Sequence, residues 1–139
     1  MADLSAHHYG VTVRDLDRAV TFYRDVLGLD VLSRFSVSGE AFETGVGVEG
    51  AAGRFAHLDA DGTRVELVEY EPAGDDAAAD AINQTGAKHL GFAVEDLDAF
   101  YHDLDDDVET ISEPQTTASG TKILFVQDPE GNLVEVLEA

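Results

Sequence analysis

Hydrophobic and polar positions alternate along residues 8–13, which predicts a β-strand with one apolar face and one small or polar face. The large apolar positions of this segment are Tyr9, Val11 and Val13. Directly after it, Asp15 suits the N-cap of a helix and Gly28 suits its C-terminal end. The apolar positions between them follow helical spacing: Leu16, Ala19, Val20, Tyr23 and Leu27. The chain therefore begins with a strand followed by a helix.

The same pattern returns later in the chain. Residues 89–98 match residues 8–17 at six of ten positions, beginning with His89 over His8. Residues 128–138 match residues 59–69 at five of eleven positions. Two matches in the same order indicate a duplicated module.

Each copy is predicted to run strand, helix and then further strands, which gives an α+β chain of two βαβββ modules. The first module covers residues 5–70 and the second covers 88–139, and together they are expected to make one domain. Residues 71–87 form the predicted linker, whose acidic, alanine-rich run could be a short helix. Residues 29–48 should hold one more strand, although several glycines leave its limits open.

One His and one Glu in each module fall on the strand face that lies away from the predicted helix. His8 and His89 begin the first strand of each module, whereas Glu66 and Glu135 lie opposite the apolar positions of each last strand. A single strand His or Glu is more often structural or solvated than a ligand. Because both residues recur in both modules, we interpret the four as ligands of a divalent ion such as Zn, Ni, Co, Mn or Fe(II).

The hairpin turns predict which side chains neighbour the two glutamates. If the first and last residues of each turn, such as Asp59 and Gly62, pair with each other, then Phe55 lies beside Glu66 and Leu124 lies beside Glu135. The side chains expected to line a cavity are Phe55, His57, Leu124 and Val126. A register slip of one residue would reverse the face of each side chain.

Composition limits the partners and the setting. The chain has 29 acidic and 8 basic residues, a formal net charge of −21, and no cysteine. Nucleic acid is not expected as a partner because phosphate binding needs clustered cations. No stretch approaches the roughly 20 apolar residues of a membrane-spanning helix. Acidic residues spread through apolar segments, together with the absence of cysteine, suggest a cytoplasmic protein in a high-salt cytoplasm.

These residues resemble the vicinal oxygen chelate superfamily, which includes glyoxalase I, extradiol dioxygenases and bleomycin-resistance proteins. The matching segments begin at His8, Val65, His89 and Asp128 and cover nearly the whole chain. The resemblance implies tandem βαβββ modules that form a half-open, eight-stranded, barrel-like sheet with the helices outside. It also implies a small-molecule substrate and a homodimer.

The ligand set looks most like that of bacterial-type glyoxalase I, which implies a metal-dependent lyase or isomerase that transfers a proton next to a carbonyl. By that resemblance Glu135 and Glu66 are the candidate base and acid, and a hemithioacetal of a 2-oxoaldehyde and a thiol is a candidate substrate. One alternative is a non-enzymatic binder of small apolar compounds that uses Phe35, Phe42 and Phe55. A metal-dependent dioxygenase is a third possibility, disfavoured by glutamate at position 66.

Overall fold

A computed structural model describes residues 3–139 and divides the chain into two compact units, one ending at Asp76 and the other beginning at Ala77. This division falls inside the predicted linker. Within the linker the acidic, alanine-rich run forms turns and irregular chain, so the short helix considered for it is absent from this described segment. No helix among the described residues has the length and apolar character needed to cross a membrane.

The first unit contains four strands and two helices. In chain order these are β1 (His8–Thr12), α1 (Leu16–Thr21), β2 (Val31–Ser38), α2 (Glu40–Val46), β3 (Ala52–Asp59) and β4 (Arg64–Glu71). A π-helical turn, Phe22–Val26, continues α1. The sheet has the order β1-β4-β3-β2, in which β1 runs parallel to β4 and the other pairs are antiparallel.

The second unit repeats this order without the extra helix. Its elements are β5 (Leu90–Ala93), α3 (Leu97–His102), β6 (Gln115–Thr116), β7 (Lys122–Gln127) and β8 (Leu133–Glu138). The sheet order is β5-β8-β7-β6, again with one parallel pair. The predicted α+β fold of two βαβββ modules is therefore confirmed as two four-stranded mixed sheets, neither of which closes into a barrel.

The helix side of each sheet holds that unit's core. Leu16, Val20 and Tyr23 are buried with Val65 and Leu67 in the first unit. The second core contains Leu97 from α3 and four strand residues: Leu124, Val126, Val134 and Val136. Burying these apolar side chains is the main favourable contribution to the folding of each unit.

The predicted N-cap Asp15 is present, Asp96 caps α3 in the same way, and a glutamate of the last strand binds the first amide of each helix. Asp15 accepts a hydrogen bond from the Arg18 amide. The Leu16 amide, at the start of α1, donates to Glu69 across 2.8 Å. In the second unit the Leu97 amide donates to Glu138 across 2.9 Å. Glu69 and Glu138 therefore each satisfy an amide that the helix leaves unpaired.

The two hairpins differ from the predicted register in different ways. Asp61 and Gly62 both have positive φ, and Ala60 and Thr63 close this two-residue turn. As a result Asp59 pairs with Arg64 instead of Gly62. This shift of two positions keeps each side chain of the hairpin on its expected face. This is the geometry that an Asp-Gly dipeptide favours in a hairpin.

The second hairpin shifts by one position, which exchanges the faces. This turn has one residue more than predicted. Gly131, with a φ of 84°, is the extra residue, so that Asp128 pairs with Asn132 instead of Gly131. Leu124 then pairs with Val136, and Val126 pairs with Val134. Both side chains are buried in the helix-side core. The expectation that Leu124 and Val126 line a cavity beside Glu135 is therefore wrong.

Candidate functional site

The first unit places His8 and Glu66 next to each other on the face away from α1. Gly10 of β1 pairs with Glu66 of the parallel strand β4, which brings the preceding His8 alongside. His8 Nε2 lies 3.6 Å from Glu66 Oε1. A Cβ at Gly10 would stand 3.8 Å from Glu66 Oε1 and 3.9 Å from the His8 ring, so this glycine leaves the space beside the pair open.

The second unit repeats this arrangement. Gly91 pairs with Glu135 across β5 and β8, and His89 immediately precedes β5. His89 Nε2 lies 3.3 Å from Glu135 Oε1. The exposed fractions of the side chains also correspond, at 38% and 37% for the two histidines and 16% and 19% for the two glutamates. Each unit therefore presents one imidazole–carboxylate pair that solvent can reach.

The residues opposite the two glutamates differ between the units. His57 of β3 pairs with Glu66, whereas Phe125 of β7 pairs with Glu135. The His57 ring is buried and its Nε2 lies 2.7 Å from Glu66 Oε2. The Phe125 ring instead contacts His89 edge-on at 5.2 Å between centroids. Sequence reasoning placed His57 on this face without its contact to Glu66, because the predicted register paired Glu66 with Phe55.

Aromatic rings continue the Glu66 face of the first unit away from the pair. Phe35 and Phe55 stack with centroids 5.1 Å apart and planes within 6°. Phe42 from α2 stacks on Tyr70 at 6.2 Å. Gly53 allows the Phe55 ring to lie over β3, since a Cβ there would stand 2.6 Å from a ring carbon. Phe35 remains 40% exposed, so this face offers an apolar surface next to His57.

The structure thus brings the four ligand candidates together as two pairs, which belong to separate units. Among residues 3–139 no group of three or more His, Cys, Asp or Glu side chains is arranged to hold a metal ion. The donor types nevertheless fit one, because neutral imidazole and carboxylate oxygen are the usual non-thiolate ligands of divalent transition metals. The remaining cavity candidates, Phe55 and His57, lie on the same face as Glu66.

Comparison with known proteins identifies the family of the chain. The family model of the glyoxalase/bleomycin resistance protein/dioxygenase superfamily matches residues 5–136. The chain belongs to this superfamily. The resemblance inferred from the two repeated segments is thereby confirmed. No curated protein matches the chain significantly.

Several solved structures share the fold. A glyoxalase family protein from Bacillus cereus superposes with a TM-score of 0.87 at 24% identity, covering 99% of this chain and 95% of that one. Lactoylglutathione lyase from Agrobacterium tumefaciens gives 0.67 at 20% identity, covering 100% and 96%. TioX from Micromonospora sp. ML1 gives 0.66 at 21% identity, covering 96% and 98%. At these identities the likeness establishes the fold and leaves the activity to the residues of the site.

Proposed function

We propose that this superfamily member is a divalent-metal-dependent lyase or isomerase of the glyoxalase I type, which transfers a proton next to a substrate carbonyl. The observation that carries the proposal is the repeated imidazole–carboxylate pair, with nearly equal separations of 3.6 and 3.3 Å in the two units. Glu69 and Glu138 also recur, but they accept helix amides, whereas these two pairs lie on the face away from the helices with their imidazoles more than a third exposed.

The four ligands would be His8, Glu66, His89 and Glu135, two from each module. Because neither unit has a complete ligand set by itself, the site requires that one module of each kind come together, within a chain or between two chains. The ion, whether Zn, Ni, Co, Mn or Fe(II), would act as a Lewis acid on substrate oxygens. The resemblance of the ligand set to that of bacterial-type glyoxalase I supports a hemithioacetal of a 2-oxoaldehyde and a thiol as the substrate.

Within this site the protein's own carboxylates would move the proton. We assign Glu135 as the base that takes the proton from the carbon beside the carbonyl, and Glu66 as the acid on the opposite side. Both glutamates lie on strands that pair with a neighbouring strand on each edge, so that their backbone is held from both sides. This gives the carboxylates the fixed backbone position that proton transfer at hydrogen-bond distance needs.

The test is the isomerisation of the methylglyoxal–thiol hemithioacetal by protein loaded with each candidate metal, together with solvent deuterium incorporation into the product. Glu135→Gln should lower kcat by about 10²- to 10⁴-fold, the usual contribution of a general base. Glu113→Gln is the matched control, because Glu113 is an exposed glutamate of the same unit. Turnover by Glu135→Gln at the rate of the control would eliminate the proposed role.

A second candidate function is the sequestration of small apolar or aromatic compounds without catalysis. The stacked rings of Phe35, Phe42, Phe55 and Tyr70 favour it, since they form an apolar surface beside the Glu66 face. Metal content separates the two functions. A binder of this kind purifies without stoichiometric metal and binds its ligand equally well in chelator, whereas the lyase loses activity when the metal is removed.

The setting that we propose for this function is a homodimer in a high-salt cytoplasm. The net charge of −21 supports the high-salt part of the proposal, since dissolved ions would screen the repulsion among 29 acidic side chains. The dimer is supported by the resemblance to glyoxalase I. Sedimentation of the metal-loaded protein in molar KCl would show a monomer if this part is mistaken.

A further inference from the structure

His57 is placed and oriented to act on Glu66. Its ring is buried, with 7% of the residue exposed, and His57 Nε2 lies 2.7 Å from Glu66 Oε2. On the other side of the ring, Arg64 Nη1 lies 3.4 Å from His57 Nδ1. A guanidinium only donates hydrogen bonds, so Nδ1 must accept. The hydrogen of the neutral ring is then on Nε2, which donates to Glu66.

This contact divides the two oxygens of the Glu66 carboxylate between different neighbours. Oε2 receives the hydrogen bond from His57, while Oε1 faces His8 Nε2 at 3.6 Å. The His57 ring is itself held in place, because it stacks with the His8 ring at 5.9 Å and meets the Phe35 ring edge-on at 5.2 Å. Glu66 therefore presents one oxygen on the His8 side with its orientation fixed.

The second unit lacks this restraint at the equivalent place. The residue that pairs with Glu135 is Phe125, whose ring has no hydrogen-bond donor. Glu135 contacts His89 at 3.3 Å through Oε1. Two carboxylates that correspond in the repeat thus differ in whether the neighbouring strand supplies a donor. The carboxylate that leaves the metal to take the proton from carbon needs freedom, whereas one that stays on the metal is improved by being held.

We propose that His57 is a positioning residue that fixes Glu66 as a metal ligand and thereby leaves the proton-removing role to Glu135. The inference rests on the proposed function and adds to it a reason for the unequal roles of the two glutamates. His57 contacts neither the substrate nor the ion in this account. It acts through the orientation of the Glu66 carboxylate.

The test exchanges the two residues that distinguish the units. Co(II) is titrated into the metal-free full-length protein, and binding is followed by the visible absorption of the bound ion. His57→Phe installs the residue of the second unit and should weaken Co(II) binding by about 10- to 100-fold, the usual effect of removing a hydrogen bond to a metal ligand. His57→Gln keeps a donor and should restore most of the affinity.

The reciprocal variant tests the other half of the inference. Phe125→His places a donor opposite Glu135, and it should lower kcat with the hemithioacetal while leaving Co(II) affinity at or above that of the wild type. By contrast, His57→Phe should lower kcat at saturating Co(II) less than Phe125→His does. If His57 had only a structural role, replacing it would lower the melting temperature. It would not weaken Co(II) binding more than it lowers kcat.

Each result has a defined consequence. Wild-type Co(II) affinity in His57→Phe, or equal weakening in His57→Phe and His57→Gln, would overturn the positioning role while leaving the proposed function intact. If His57→Phe does not fold, His57→Gln and Phe125→His decide, and an unchanged kcat in Phe125→His would overturn the inference. A wild-type protein that binds no Co(II) would overturn the proposed function and this inference together.

Discussion

At the scale of single residues, the glutamates of the last strands have two separate tasks that follow from strand parity. Glu66 and Glu135 point away from the helices and are the proposed ligands, whereas Glu69 and Glu138 point towards the helices and accept their first amides. The partners of Glu69 and Glu138 are 53 and 41 residues away in sequence, so no local pattern could identify this hydrogen bond.

We expect Glu69→Ala to destabilise the first unit by about 1 kcal/mol, the typical cost of losing a side-chain acceptor at a helix N-terminus. Urea unfolding of wild type and variant measures this difference. Glu69 also lies 3.3 Å from Arg54, so Glu69→Gln, which keeps an acceptor, separates the hydrogen bond from the charge. Glu49→Ala, at an exposed loop glutamate, is the control. Equal midpoints for Glu69→Ala and Glu49→Ala would contradict the capping role.

The four ligand candidates could be found from the sequence because they repeat with their surroundings. His57 could be placed on the correct face by parity, yet its contact to Glu66 could not be predicted. That contact depends on which residues pair across β3 and β4, and pairing depends on the turn. The difference between His57 and Phe125 becomes visible only when both registers are known.

At the scale of elements, the repeat predicted the order of strands and helices, and the turns decided which residues pair between neighbouring strands. The Asp61-Gly62 dipeptide carries the usual signal of a two-residue hairpin turn, and taking it into account would have given the correct register for β3 and β4. The extra residue at Gly131 gave no comparable signal, because a Pro and a Gly in this turn suit more than one loop length.

The helix α2 accounts for much of the difference in length between the two modules. It occupies Glu40–Val46, between β2 and β3, where the second unit has no helix among its described residues. The glycines at 39, 45, 47 and 50 obscured it in the sequence, because glycine is unfavourable inside a helix and marks turns elsewhere. Gly47 ends the helix and Gly50 lies in the loop after it, and each has a φ of 73°.

At the scale of the whole molecule, the excess of negative charge is the dominant feature of the surface. Several of the few cations are already paired: Arg34 contacts Asp17, Arg24 contacts Asp25 and Lys122 contacts Asp98. The hydrogen bond from Arg34 lowers the pKa of Asp17, and that from Arg24 lowers the pKa of Asp25. Most of the 29 carboxylates must therefore be balanced by ions from solution.

We expect the melting temperature to rise as KCl is increased from about 0.05 M to about 1 M, where the screening length falls to about 3 Å. The same measurement in an uncharged osmolyte of equal osmolarity is the control, and it should show a smaller increase. A melting temperature that is already maximal in dilute buffer would count against a high-salt setting, and it would leave the candidate site unaffected.

The proposed function depends on one metal ion being shared by a His–Glu pair from each module. Its most direct test is the number of metal ions bound per chain at equilibrium in the wild type, in His8→Ala and in His89→Ala, measured by elemental analysis after dialysis in molar KCl. The account predicts one ion per chain for the wild type and nearly complete loss in either variant. Two ions per chain, or a variant that keeps its full complement of metal, would contradict it.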